Sequence, residues 1–237
     1  MQRYFADIRN NQVFLSQEDS FHLLKVMRAR INENIEVVDQ NHRSYLAIIK
    51  SINPLIIEVQ EPMLAKSELP IEVTLFFGLA KSDKIEFVIQ KATELGVKNI
   101  VLFEGKRSVV KFSENDFVRK ESRYKAIAKE ASEQCHREYI PNIYFVKSIK
   151  GIKQYLCDIN LFAYELEAGK STDISNYISK DIKSISVITG PEGGFDSSEA
   201  DYLISLNFKN ISLGKRILRC ETAVTYALSV IAYNLEK

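Results

Sequence analysis

Three of the chain's nine glycines fall within five residues, in the stretch ITGPEGGF at 188–195. A tight turn needs one glycine or two. A further one leaves backbone without a Cβ where something other than protein can come close. The stretch follows the apolar run SISVI and precedes DSSEADYLI, so the glycines stand between a strand and a helix. Open α/β sheets usually bind small molecules at that junction. The pattern is neither the phosphate loop GxxxxGK[ST] nor the dinucleotide fingerprint GxGxxG, and without a lysine it has no evident grip on a triphosphate. The competing reading is a plain strand-to-helix turn with Asp196 or Ser197 as N-cap. A second segment, SLGKRILRCETA at 212–223, repeats the arrangement of strand end, glycine, short loop and helix. Its Leu213, Ile217 and Leu218 can line an apolar slot, and loop backbone can read the edge of an adenine. Glu221 and Thr222 open the following helix, where the dipole favours a carboxylate.

Other chemistries find little support. His22, His42 and His136 have no ligand partners at metal-binding spacing, and Cys135, Cys157 and Cys220 are far apart and form no CxxC pair. Neither a zinc site nor a disulfide framework follows from that pattern. The expected compartment is a reducing cytoplasm: the N-terminus has no apolar signal region, and no apolar run approaches the ~20 residues that span a bilayer. Net charge is only +1. The distribution says more than the total, because residues 105–137 hold nine Lys/Arg against five Asp/Glu. Such a cluster is an electrostatic footprint for nucleic acid, with a solvated helix face carrying pairs such as Glu121–Lys125 as the alternative.

The elements that must position these residues divide at EPMLAKSELP, 61–70, a linker with a proline at each end. Before it, short β-branched runs surround one helix, QEDSFHLLKVMRAR, N-capped by Ser16 with Asp19 at its third position. This predicts a small barrel. After it, β and α segments alternate, which predicts an α/β domain with a mostly parallel sheet. Strands are expected at IEVTLFFGLA, NIVLFEG, NLFAYEL, SISVITG and NISLG. Helices are expected at KSDKIEFVIQKATELG, RKESRYKAIAKEASEQCHR, SSEADYLISLN and from Glu221 to Glu236. The last is apolar at nearly every angle, so it should be buried on more than one side, in the domain centre or at a subunit interface.

Taken in order, HLLKVMR, QKATELGVKNI, KRSV, KEASEQCHR, TGPEGGFDSSEADYL and SLGKRILRCETA resemble the small-subunit ribosomal RNA (uracil-N3)-methyltransferases of the RsmE type, over nearly the whole chain. The resemblance implies a PUA-like RNA-binding barrel at 1–70 and a SPOUT methyltransferase domain at 71–237 with a C-terminal trefoil knot. It implies S-adenosyl-L-methionine as cofactor and a homodimer packed through knot-region helices. The implied substrate is one uridine in the decoding region of 16S rRNA, presented on the assembled small ribosomal subunit, with no metal and no membrane. By position, Gly190, Pro191 and Gly194 would form one wall of the cofactor site and Leu213, Gly214, Ile217 and Leu218 another, with Tyr164 and Glu165 at the end of the first knot strand. Where the family usually has Gly-Asp after HLLKVMRAR, this chain has Asn32, a residue that tolerates left-handed backbone.

Methylating uracil N3 requires loss of the N3 proton, which puts negative charge on O2 and O4. A guanidinium stabilises such charge through directed hydrogen bonds. Arg219, in the second loop, is the first candidate, with Arg107 and Arg137 as others. Glu192 and Glu221 are candidate proton acceptors, with helix-start stabilisation the competing role for Glu221. RNA contacts are expected from Lys106, Arg107, Lys111, Arg123 and Arg137 and from Arg28 and Arg30. The alternatives are the same fold acting on another RNA, or a non-catalytic RNA-binding assembly factor, which would not need two cofactor-shaped turns.

Overall fold

In a computed structural model, residues 1–64, 67–164, 173–179 and 181–237 are described. They form two units: residues 1–68 with 132–139, and residues 69–131 with 140–237.

The first unit is built on a six-stranded sheet. Its strands are β1 (Arg3–Phe5), β2 (Asp7–Arg9), β3 (Gln12–Phe14), β4 (Asn34–Val38), β5 (Ser44–Ile52) and β6 (Leu55–Pro62), in the order β1-β4-β5-β6-β3-β2. β1 and β4 are parallel and the other pairs antiparallel. Asn10 and Asn11, both at positive φ, make the two-residue turn between β2 and β3. Helix α1 (Gln17–Phe21) is capped as its sequence predicts, the Ser16 side chain accepting the Asp19 N–H. It is shorter than expected. The chain widens into a π-helical turn at His22–Val26, and Arg28 takes φ 54°, which ends the helix two residues before Arg30. Asn32 has φ 67°, the left-handed backbone that the glycine of the resembling family would supply. Tyr4, Leu23, Val37, Ala47 and Ile49 fill the core.

This unit also buries charge. Arg3, 5% exposed, pairs with Glu36 at 2.9 Å and Glu138 at 3.1 Å and donates to the carbonyl of His136 at 2.6 Å. Glu138 further accepts from Ser44 and Ser67. Arg137 is 2% exposed, and its guanidinium binds Glu68 at 2.7 Å. That corrects its reading as an RNA contact: a guanidinium closed inside an ion pair cannot reach a phosphate.

The second unit carries six parallel strands: β7 (Glu72–Gly78), β8 (Asn99–Phe103), β9 (Asn142–Val146), β10 (Ile159–Ala163), β11 (Ser184–Thr189) and β12 (Lys209–Ile211). Their order is β12-β10-β11-β7-β8-β9. Both faces of the sheet are buried, which is why the strands read as unbroken apolar runs. Along β7, Leu75 and Phe77 join one core and Phe76 the other. Helices α2 (Ser82–Glu94) and α5 (Cys220–Leu235) pack on the first face, and α4 (Ser197–Ser205) contributes Ala200 and Leu203 to the second. Gly96 follows α2 at φ 84°, as expected of a C′ residue.

Helix α3 (Glu114–Gln134) begins five residues before the expected start. Ser113 and Asp116 cap each other's backbone N–H groups there, a box of the form S-x-x-D. The five-residue strand β9, at the sheet edge, was not expected. Helix α5 buries Val224, Ala227, Leu228 and Ile231, whereas Tyr226 and Tyr233 are 45% and 61% exposed, so the described residues cover one face of it and leave these two tyrosines open. Among the described residues, no helix is long and apolar enough to cross a membrane.

Candidate functional site

Three neighbouring strands, β12, β10 and β11, end side by side, and their carboxyl ends open into one cleft of about 340 Å³. That volume is in the usual range for a small-molecule site. Tyr164 follows β10, the glycine loop follows β11, and the second loop follows β12 and leads into α5. Gly190, Pro191, Gly194, Tyr164, Leu213, Gly214, Ile217, Leu218 and Arg219 all line the cleft. Residues drawn from three separated segments therefore meet in one place. Glu165 lies outside the described residues.

The glycine loop is held tightly. Gly194 sits at φ 68°, and its N–H donates to the Pro191 carbonyl at 2.9 Å. A Cβ on Gly193 would come within 2.8 Å of the Arg107 carbonyl oxygen, so the segment after β8 packs directly on this loop. The loop then enters α4 through a capping box between Asp196 and Glu199. Hydrogen bonds from Ser198 and Lys106 hold the Asp196 carboxyl down at about 2. Lys106 joins the two segments twice: its N–H donates to Glu199 at 2.9 Å, and Nζ lies 3.3 Å from Asp196.

Apolar and polar groups both line the cleft. Ile211, Leu213, Ile217 and Leu218 supply an apolar wall. Thr189 Oγ1 is buried with no hydrogen-bond partner among the described residues, and Thr189 lines the cleft. A buried hydroxyl without a partner costs roughly 1–3 kcal/mol, so a ligand that bonds it recovers that cost. At the lip, Lys84 Nζ lies 3.5 Å from Glu192 and 3.3 Å from Glu221. Burial raises the Glu221 pKa, but its own backbone N–H, the Cys220 thiol and Lys84 together hold it below its ordinary value. Burial first, and then the bond to Glu221, push Cys220 up to about 12, so it remains a thiol rather than a nucleophile.

The remaining candidates lie around this core or apart from it. Arg219 is the N-cap residue of α5 and is exposed; its guanidinium, a donor only, cannot cap the helix N–H groups. Arg107 is exposed beside the glycine loop, and Lys111 is exposed further along the same segment. Arg123 is already engaged, both nitrogens of its fork reaching Glu86 at 2.6 Å. Arg28 and Arg30 are exposed on the first unit. Sequence reasoning missed Lys84, Thr189 and Arg216 as cleft residues. Arg216 stood within a quoted motif, whereas Lys84 reaches the cleft only because α2 packs near α5. Among the described residues, no group of three or more His, Cys, Asp or Glu could hold a metal ion.

Residues 67–232 match the family described as RNA methyltransferase domain, and residues 15–61 match the RNA methyltransferase PUA domain. The ribosomal RNA small subunit methyltransferase E of Bacillus subtilis is 35% identical, with 100% of this chain and 98% of that protein covered. The protein of the same name from Buchnera aphidicola is 31% identical over 94% of this chain and 88% of its own length. Among solved structures, a ribosomal RNA small subunit methyltransferase E from Neisseria gonorrhoeae, bound to S-adenosyl methionine, is 26% identical with a TM-score of 0.85, covering 98% of this chain and 97% of that one. With two thirds of its length matched by the catalytic family and its full length by the first relative, this chain belongs to the RNA methyltransferases, in the ribosomal RNA small subunit methyltransferase E family.

Proposed function

We propose that this protein methylates N3 of one uridine in the decoding region of 16S rRNA, on the assembled small ribosomal subunit, with S-adenosylmethionine as donor. The observation that carries the reading is the convergence of Tyr164, the glycine loop and the second loop on one cleft. Its residues fit the cofactor. The apolar wall of Leu213, Ile217 and Leu218 suits the flat faces of an adenine, and the unpartnered Thr189 hydroxyl offers a polar contact. Gly190, Pro191 and Gly194 would hold it on one side and Leu213 and Gly214 on the other. When bound, it supplies a methyl group on a positively charged sulfur, already electrophilic.

The chain's part in the chemistry is orientation and charge. Holding the uracil in line with the donor turns a bimolecular encounter into a positioned one. Arg219, exposed at the lip, stabilises the charge that reaches uracil O2 and O4 as the N3 proton leaves. Glu192, in the glycine loop, and Glu221, whose carboxyl is held below its ordinary value, are the two candidate proton acceptors. Lys106, Arg107 and Lys111, beside the glycine loop, take RNA phosphates near the reacting base. Arg28 and Arg30 are the RNA contacts of the first, PUA-like unit, and the second unit carries the transfer.

The same reading includes a homodimer, a trefoil knot and a cytoplasmic setting. Exposed Tyr226 and Tyr233 on α5 support the dimer. The position of β10 between β12 and β11, with the second loop returning into α5, is in keeping with the knot.

Methyl transfer to unmodified small subunits, followed by nucleoside analysis, tests the reaction. The expected product is 3-methyluridine. A 5-methyl product, or none, would reject the reading.

A further inference from the structure

Lys84 stands in the first turn of α2, far before either loop of the cleft in sequence. In space it is the cation between two carboxylates. Glu192 belongs to the glycine loop, and Glu221 to the head of α5 just after the second loop. The three side chains are 21%, 21% and 19% exposed, so water screens them only in part. The Lys81 N–H also donates to Glu192, at 3.4 Å, and the Cys220 thiol to Glu221, at 3.2 Å. These two hydrogen bonds, from a backbone N–H and a thiol, add no charge to the trio. The trio thus has two negative charges against one positive. Lys84 and Glu192 line the cleft, and Glu221 adjoins Cys220, which also lines it. The other cations of the lining, Arg216 and Arg219, are exposed and more strongly screened.

We propose that Lys84 is a positioning and specificity-determining residue, which ties the two cleft loops together through Glu192 and Glu221 and sets how strongly those carboxylates favour a sulfonium over a thioether. The inference rests on the reading of the cleft as the S-adenosylmethionine site. Donor and demethylated product differ chiefly in the charge on sulfur, so the local field decides between them. Lys84 offsets one of the two carboxylates and so limits that preference. Removing it leaves both carboxylates uncompensated and breaks the link between the loops.

The test is calorimetry on the full chain with S-adenosylmethionine and S-adenosylhomocysteine, for the wild type, Lys84→Met, Lys84→Arg and Glu192→Gln. In Lys84→Met both affinities fall as the link is lost. The ratio of the S-adenosylhomocysteine Kd to the S-adenosylmethionine Kd rises about fivefold, the order expected when one partly screened unit charge is removed near the ligand. Lys84→Arg keeps the wild-type ratio, and Glu192→Gln lowers it. If both affinities of Lys84→Met fall together at a constant ratio, Lys84 is only a structural tie and the proposal is overturned. A wild-type chain that binds neither ligand instead overturns the reading of the cleft itself.

Discussion

Replacing Gly194 with leucine weakens S-adenosylmethionine binding on the order of a hundredfold or more, from a wild-type affinity in the micromolar range, about −8 kcal/mol. The argument has two parts. Gly194 sits at φ 68° in the wall of the cleft, where a residue with a Cβ pays about 1–2 kcal/mol for left-handed backbone. That strain alone lowers the unfolding midpoint by only a few degrees in a chain of this size. The larger effect on binding comes from adding a bulky side chain to a wall that offers the ligand backbone alone. Gly194→Asn separates the two, because asparagine tolerates left-handed backbone. It should unfold close to the wild type yet still bind poorly. Calorimetry and a thermal melt on both variants decide the matter. Unchanged binding in Gly194→Leu would refute the pocket assignment.

Replacing Arg3 with methionine is expected to destabilise the protein by about 3–5 kcal/mol, the usual cost of removing one partner from a buried ion pair. Arg3 is 5% exposed and is shared by Glu36, 11% exposed, and Glu138, 3% exposed. Both carboxylates stay behind, and methionine offers neither a hydrogen bond. Urea unfolding at neutral pH gives the difference, and a loss below about 1 kcal/mol would contradict this account of the network. The pH dependence follows from Glu36. Burial raises its pKa, but hydrogen bonds from His136 and Arg3 outweigh that and hold it below the ordinary value. A carboxyl whose folded pKa is depressed contributes fully above its unfolded value, about 4.3, and loses the contribution as pH falls through the folded value. The gap between wild type and Glu36→Gln is therefore widest near neutral pH and narrows in acid below pH ~4.

Much of the fold could be read from local patterns because local physics decides it. The Ser16 cap, Gly96 after α2 and Asn32 in its turn each follow from one or two residues, and the strands β7, β8 and β11 from short apolar runs. Other features depend on contacts distant in sequence. Nothing in SEQCHREY announces that residues 132–139 fold with residues 1–68, because the reason is Arg3 and Ser44 reaching Glu138. The π-helical widening after Phe21 leaves no mark on the periodicity of so short a helix. The start of α3 was legible in SEND, where a serine and an aspartate three apart form a cap, but the charged run after it drew the boundary too late.

The candidate site divides the same way. Both loops could be recognised because glycine content, proline and flanking apolar runs are properties of the segment itself. Tyr164 came with the family resemblance, at the end of the expected strand NLFAYEL. Lys84 carries no local signal, being an ordinary helix lysine, and Thr189, although it opens the quoted motif TGPEGGF, reads as the last residue of an apolar strand. Arg137 shows the opposite error. A basic residue in a basic segment reads as an RNA contact until its burial against Glu68 is seen.

The most direct measurement is diffraction from crystals of the full chain soaked with S-adenosylmethionine. The account predicts density for the donor between the glycine loop and residues 213–218, touching Gly194 and Leu213, with Thr189 Oγ1 in a hydrogen bond. A cleft that stays closed by its own side chains, or donor bound elsewhere on the protein, would contradict it.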